Sequence, residues 1–145
     1  LVDQFSFLLI EITEVVKSQG LFLGYDFQRD ALIIDEELLV LELEKILKTQ
    51  ERVCLCGPPV AINPSLLDLV IVLHLSPDEL RKRLEQRAYK RKKVEENIES
   101  ELMGIILLDS QEIYGEHLVH EILGNDEGIK QVIELISSMF IRREK

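Results

Sequence analysis

Apolar residues fall in short blocks along this chain, and the blocks alternate between strand-like runs and helix-like stripes. Residues 7–12 form a short, almost continuous apolar run, which predicts a buried strand. Thr13 is placed to cap a brief helix over residues 14–18 that Gly20 stops. Turn formers fill residues 24–30, and Ala31 to Ile34 lead to Asp35, a ready N-cap. In residues 36–48 a 3.6-residue stripe of Leu39, Leu43, Ile46 and Leu47 faces inward while Glu42, Glu44 and Lys45 face water. Strands are predicted over residues 53–56 and 68–75, the second apolar on both faces as a covered parallel strand should be. The Gly57-Pro58-Pro59 and Asn63-Pro64-Ser65 breaks forbid a ladder between them.

The second half repeats the rhythm. Ser76-Pro77-Asp78-Glu79 is a capping box opening a helix to about Arg87. Residues 93–113 read as one long helix, with Val94, Ile98, Ile105, Ile106 and Ile113 on its apolar face. A last strand spans residues 118–123. A closing helix capped by Asp126 turns Ile129, Val132, Ile133, Ile136 and Phe140 inward. Strand followed by helix, repeatedly, predicts an α/β domain of three layers, a parallel sheet flanked by helices and joined by right-handed crossovers.

Charge sharpens this picture. The 145 residues have a formal charge of −10, yet the stretch from Arg81 to Lys93 contains eight basic residues against one acidic, Glu85. The rest of the chain holds 9 basic and 26 acidic residues, a net of −17. An isolated cationic segment on an anionic body suits a polyanion, either a nucleotide or a nucleic-acid backbone, although a solvated helix face has the same composition. Only Tyr89 lies within the patch to stack on a base, so RNA binding through it would be to the backbone. No apolar run approaches the length of a bilayer-spanning helix. Cys54 and Cys56, two residues apart, cannot close a relaxed disulfide and imply a reducing intracellular compartment. They read as small buried residues. His74, His117 and His120 have no spacing that would complete a metal site with them, so no metal ligand is assigned.

Three blocks read in order carry a resemblance: Gly20-Leu21-Phe22-Leu23-Gly24-Tyr25-Asp26, then Ile34-Asp35-Glu36-Glu37-Leu38, then Leu84-Glu85-Gln86-Arg87-Ala88-Tyr89 with Glu96-Asn97-Ile98. Together they resemble the small adenylate-kinase-like nuclear NTPases, known in eukaryotes as the coilin-interacting nuclear ATPase and present in archaea. The resemblance implies a single domain over residues 1–145 with the P-loop, nucleoside-monophosphate-kinase fold. It implies an enzyme that transfers phosphate from ATP, with Mg²⁺, to AMP and also hydrolyses ATP. It further implies a role in maturation of the small ribosomal subunit through one of that subunit's proteins, in the nucleus and cytoplasm of a eukaryote or the cytoplasm of an archaeon.

On the same basis residues 11–34 correspond to the monophosphate-binding region and residues 86–96 to the lid. Arg87 resembles the family's phosphate-contacting, catalytic arginine, with Lys90, Arg91, Lys92 and Lys93 adding field. Glu14 and Lys17 stand where relatives have Asp and Arg facing the monophosphate. Tyr25, Asp26 and Asp30 match an acidic loop whose role is either substrate contact or turn shaping.

Two departures set expectations of their own. No Gly-x-x-x-x-Gly-Lys-Ser/Thr occurs in these residues, so the resemblance places the phosphate loop upstream, with Leu1 to Ser6 matching part of the helix that follows it and a short omission before Phe7. The family's Asp-x-His motif falls on the window Leu55-Cys56-Gly57-Pro58, which offers no carboxylate or imidazole. The alternative reading is therefore a degenerate member that binds nucleotide or a protein partner without efficient turnover.

Overall fold

A computed structural model describes residues 2–144; Leu1, expected to open a helix, and Lys145, the end of the expected domain, lie outside them. The elements run α1 (Val2–Phe5), β1 (Leu8–Glu11), α2 (Ile12–Gln19), β2 (Phe22–Asp26), β3 (Ala31–Ile34), α3 (Glu36–Thr49), β4 (Val53–Cys56), a 3₁₀ turn (Pro64–Leu66), β5 (Val70–His74), α4 (Pro77–Gln86), α5 (Arg91–Leu102), α6 (Ile105–Tyr114), β6 (Val119–Leu123) and α7 (Asp126–Glu144).

The α/β alternation delivers parallel pairing. Strand β1 lies parallel to β4, from Leu8 opposite Val53 to Glu11 opposite Cys56. Strand β5 lies parallel to β6, from Val70 opposite Val119 to His74 opposite Leu123. Side chains of a strand alternate between faces, and both faces of β5–β6 are covered. Val72 and Val119 meet Tyr114, Leu107 and Ile113 of α6, while Ile71 and Ile122 meet Val132, Ile136 and Phe140 of α7. Helix, ladder and helix make three layers there, but the single parallel sheet expected from the sequence is instead two separate two-stranded parallel ladders. Ile10 and Leu55 of the other ladder pack on a cluster built by Ile12 and Val16 of α2 and Leu39 and Leu43 of α3. Leu67 touches both the α3 and the α6 clusters. Tyr114 joins them by polar contact, its hydroxyl donating to the Val60 carbonyl at 2.5 Å and accepting from the Val60 amide at 2.8 Å.

Several expectations change. The long helix expected over residues 93–113 is two helices, because Gly104 adopts a left-handed φ of +65° and ends one ladder of hydrogen bonds before the next begins. Apolar residues continue through the break in sequence, so periodicity alone concealed it, and Ile105 and Ile106, expected on the inner face, are exposed. Residues 24–30 are not merely a loop: β2 and β3 form an antiparallel hairpin, with Tyr25 opposite Leu32 and Asp26 opposite Ala31. Glu11 rather than Thr13 occupies the N-cap position of α2. Helix α7 is capped by Asn125, whose Oδ1 accepts from the Gly128 amide, rather than by Asp126. Ile129 faces solvent, not the core. Cys56 is exposed and Cys54 half-buried, against the expectation that both are buried. The Asp35 and Ser76 caps are formed, to the amides of Leu38 and Glu79. Among the described residues no helix is long and apolar enough to cross a membrane.

Candidate functional site

The cationic segment is the tip of a helical hairpin with a small apolar base. Leu84 of α4 packs on Val94 and Ile98 of α5, with Leu80 beside them. Above that base both oxygens of Glu95 accept from the Arg81 guanidinium. The fork holds the Glu95 carboxyl below its usual range and the guanidinium above its own, both through the side-chain hydrogen bond. Arg83 donates to Glu79 and to the Gly124 carbonyl. Two of the eight cations are thus structural.

Helix α4 ends at Gln86, and Arg87 takes the cap position. Ala88 then turns left-handed, at φ +57°, while its amide and that of Tyr89 donate back to the carbonyls of Glu85 and Leu84. This is the helix stop that glycine normally supplies, made here by an alanine at a cost of about 1 kcal/mol. Lys90 occupies the N-cap position of α5 without a side-chain cap. Arg91, Lys92 and Lys93 then fill the first turn, where no acidic residue occurs. Cations there oppose the helix dipole, and the uncapped amides also favour an anion. Lys82, Arg87, Lys90, Arg91 and Lys92 have no ion-pair partner among the described residues. The arrangement can attract and hold phosphate oxygens.

Glu14 and Lys17 lie one turn apart on the exposed face of α2, which starts directly at the carboxyl end of β1, while Ile12 and Val16 are buried beneath them. No hydrogen bond or ion pair joins either residue to Arg87 or Lys90 among the described residues. The β2–β3 hairpin does reach the basic turn: Lys93 Nζ donates to the Asp30 carbonyl at 3.0 Å. Asp26 accepts from the amides of Gln28 and Arg29, so its observed work is turn shaping. Tyr25 meets Phe27 edge to face at 4.9 Å on the exposed side of that hairpin.

His74, given no function from sequence, closes β5 with its Nδ1 2.5 Å from Glu101 Oε1, and the same oxygen accepts from the Leu75 amide. This ties the end of α5 to the sheet beside a cleft of about 240 Å³ lined by Val72, His74, Glu101, Met103, Ile106 and Leu107. A histidine four residues past the start of an apolar strand was the only signal, and nothing in the pattern named Glu101 as its partner.

Among the described residues no three carboxylate, imidazole or thiol groups converge, and Cys56, at the carboxyl end of β4, is a soft donor where Mg²⁺ takes oxygen. Burial, aided by the neighbouring Cys56, pushes the Cys54 thiol up, further from a ligating thiolate.

Comparison with known proteins bears on the whole arrangement. A family model described as an AAA domain matches residues 4–104. A Methanocaldococcus jannaschii protein named "Putative adenylate kinase" is 32% identical over 145 residues, covering 99% of this chain and 77% of its own. The Saccharomyces cerevisiae protein named adenylate kinase isoenzyme 6 homolog FAP7 is 34% identical over 111 residues, covering 77% of this chain and 56% of its own, so the chain spans little more than half of that relative. A Caenorhabditis elegans adenylate kinase isoenzyme 6 homolog is 28% identical over 144 residues. With its parallel α/β core and cationic helical hairpin, the chain belongs to the adenylate-kinase-like family of AAA-domain P-loop NTPases.

Proposed function

We propose that this protein moves the terminal phosphoryl group of ATP to a nucleoside monophosphate, AMP, as part of one nucleotide-kinase domain. An oxygen of the AMP phosphate attacks the γ-phosphorus, the bond to the bridging oxygen of ADP breaks, and two ADP result. Such a reaction needs positioning and cations around the transferred charge more than covalent chemistry. Residues 86–96 act as the lid, Arg87 offering two parallel donors to phosphate oxygens and Lys90 a further charge. Residues 11–34 receive the monophosphate, with Glu14 and Lys17 facing it. ATP arrives as its Mg²⁺ complex, as is general for such kinases. The phosphate-cradling loop is not among these 145 residues, so transfer is proposed for a polypeptide in which that loop is joined to them.

The observation that carries the reading is the group of Arg87, Lys90, Arg91 and Lys92, without ion-pair partners among the described residues, on an otherwise anionic protein. Its test is ADP formation from ATP and AMP, with Arg87→Ala as the comparison. Loss of one transition-state donor predicts a fall in kcat/KM of about a hundredfold or more. Equal rates in the two proteins would remove Arg87 from the site. A second reading is favoured by Cys56: with no carboxylate or imidazole in the Leu55-Cys56-Gly57-Pro58 window, the protein binds nucleotide and a small-subunit ribosomal protein as an assembly factor without rapid turnover. Nucleotide binding by calorimetry, in the absence of measurable transfer, is its signature.

A further inference from the structure

Lys93 belongs to the basic run in sequence but not to its free field in space. Its Nζ donates to the Asp30 carbonyl at 3.0 Å, across 63 residues of chain, and stands 4.5 Å from the centroid of the Tyr89 ring. It is half-buried, whereas Arg87, Lys90, Arg91 and Lys92 are exposed. Each of the two turns it joins holds a non-glycine residue at positive φ, two of the four such residues among those described. Asp30 closes the β2–β3 turn at φ +52°, and Ala88 closes α4 at φ +57°. Both are non-glycine residues in the left-handed region, a conformation that persists only where surrounding contacts enforce it. The base of the α4–α5 hairpin is held by Leu80, Leu84, Val94 and Ile98 and by the Arg81–Glu95 fork, all of them away from the turn at Ala88. A charged donor shared between a carbonyl of one turn and an aromatic face of the other restrains the two turns against each other.

We propose that Lys93 is a positioning residue, a latch that pins the basic turn to the tip of the β2–β3 hairpin so that the two turns order and open together. This rests on the kinase reading only for its kinetic consequence: the lid and the monophosphate region would then be coupled before any nucleotide binds, and loss of the latch would lower the fraction of binding-competent protein.

The test needs no nucleotide. Hydrogen exchange of the protein and of Lys93→Met, which keeps the length of the side chain but not its charge, is followed at residues 27–30, 88–92 and 119–123. The latch predicts exchange faster by roughly three- to tenfold in both turns together, the worth of one partly exposed charge-assisted hydrogen bond, with β6 unchanged. Lys93→Arg, which keeps a donor and a cation over Tyr89, should restore much of the protection. Unchanged exchange in either turn overturns the proposal. Should Lys93→Met also loosen β6, Tyr89→Leu takes its place: a joint rise in residues 27–30 and 88–92 supports the latch, and a rise confined to residues 88–92 overturns it. Kinetics separate the two ideas. In a polypeptide that carries the phosphate loop, the latch predicts a KM for AMP raised by a similar factor with kcat less affected; coupled exchange in that polypeptide without phosphate transfer would sink the kinase reading and leave the latch standing.

Discussion

Replacing Tyr114 by Phe isolates one polar staple at the centre of the molecule. The ring stays and the packing of the α6 cluster around Val72 and Val119 is kept. What is lost is the hydroxyl that both accepts from the Val60 amide and donates to the Val60 carbonyl. Val60 is 7% exposed, so water reaches its backbone only if the segment between β4 and β5 moves. Each stranded buried group costs about 1–3 kcal/mol, and partial relaxation of the loop puts the pair at roughly 2–4 kcal/mol, a large share of a typical domain's stability. Urea unfolding followed by circular dichroism should show a lower midpoint with an unchanged slope. Burial also pushes the Tyr114 phenol above its ordinary value of 10.0, against a smaller opposing effect of the Val60 hydrogen bond. A raised folded value means that this stabilisation is complete below pH 10 and fades as pH climbs through the higher folded value. The wild-type advantage over Tyr114→Phe should therefore shrink only in strong alkali. A difference below about 0.5 kcal/mol at neutral pH would refute the reasoning, since it would mean that Val60 keeps its partners without the hydroxyl.

Other positions give independent checks. Gly128 lies in the first turn of α7, where a Cβ would overlap the Leu123 carbonyl and crowd Ile122; Gly128→Ala should cost about 3 kcal/mol or more in thermal or urea unfolding, and a neutral outcome would show that α7 can lift from β6. The Arg81 fork lowers the Glu95 carboxyl below its usual 4.5, so its contribution is present above that value and disappears as pH falls through the lower folded one. Carbon-detected NMR titration should therefore find Glu95 ionised in acid where Arg81→Met finds it protonated. Cys56 is exposed while burial raises the Cys54 thiol, so iodoacetamide at mild alkaline pH should label Cys56 first by peptide mass mapping, and preferential labelling of Cys54 would contradict the burial of β4.

What was legible in the sequence was whatever local chemistry decides. Asp35 and Ser76 announce their helices because a side-chain oxygen, two or three residues ahead of orphan amides, has few better partners. The apolar run of β5 reveals coverage on both faces because only a sandwiched strand needs no polar alternation. The break at Gly104 was hidden because one glycine costs a helix only about 1 kcal/mol, so its presence does not say whether the chain tolerates it or turns there. The β2–β3 hairpin was hidden because its tip is held by Asp26 and by Lys93, one contact local and one 63 residues away. The cationic segment was visible as composition. Its division into structural and free charges was not, since Glu95 and Glu79 could have paired with any of several neighbours on their helices.

That division sharpens what the segment is for. Had the basic residues been spread to satisfy the fold, they would sit near the C-terminus of a helix or opposite carboxylates, and Arg81 and Arg83 are placed that way. Arg91, Lys92 and Lys93 instead crowd the positive end of α5, where each cation is unfavourable by a few tenths of a kcal/mol to about 1 kcal/mol at low ionic strength. Lys93 offsets its share through the Asp30 carbonyl and the Tyr89 ring, but the others have only solvent. An anion seated at that end would relieve repulsion among the cations, meet the uncapped amides and favour the left-handed turn at Ala88 in one event. On the proposed reading of residues 86–96 as a lid, charge crowding at the start of α5 is what a bound phosphate would relieve.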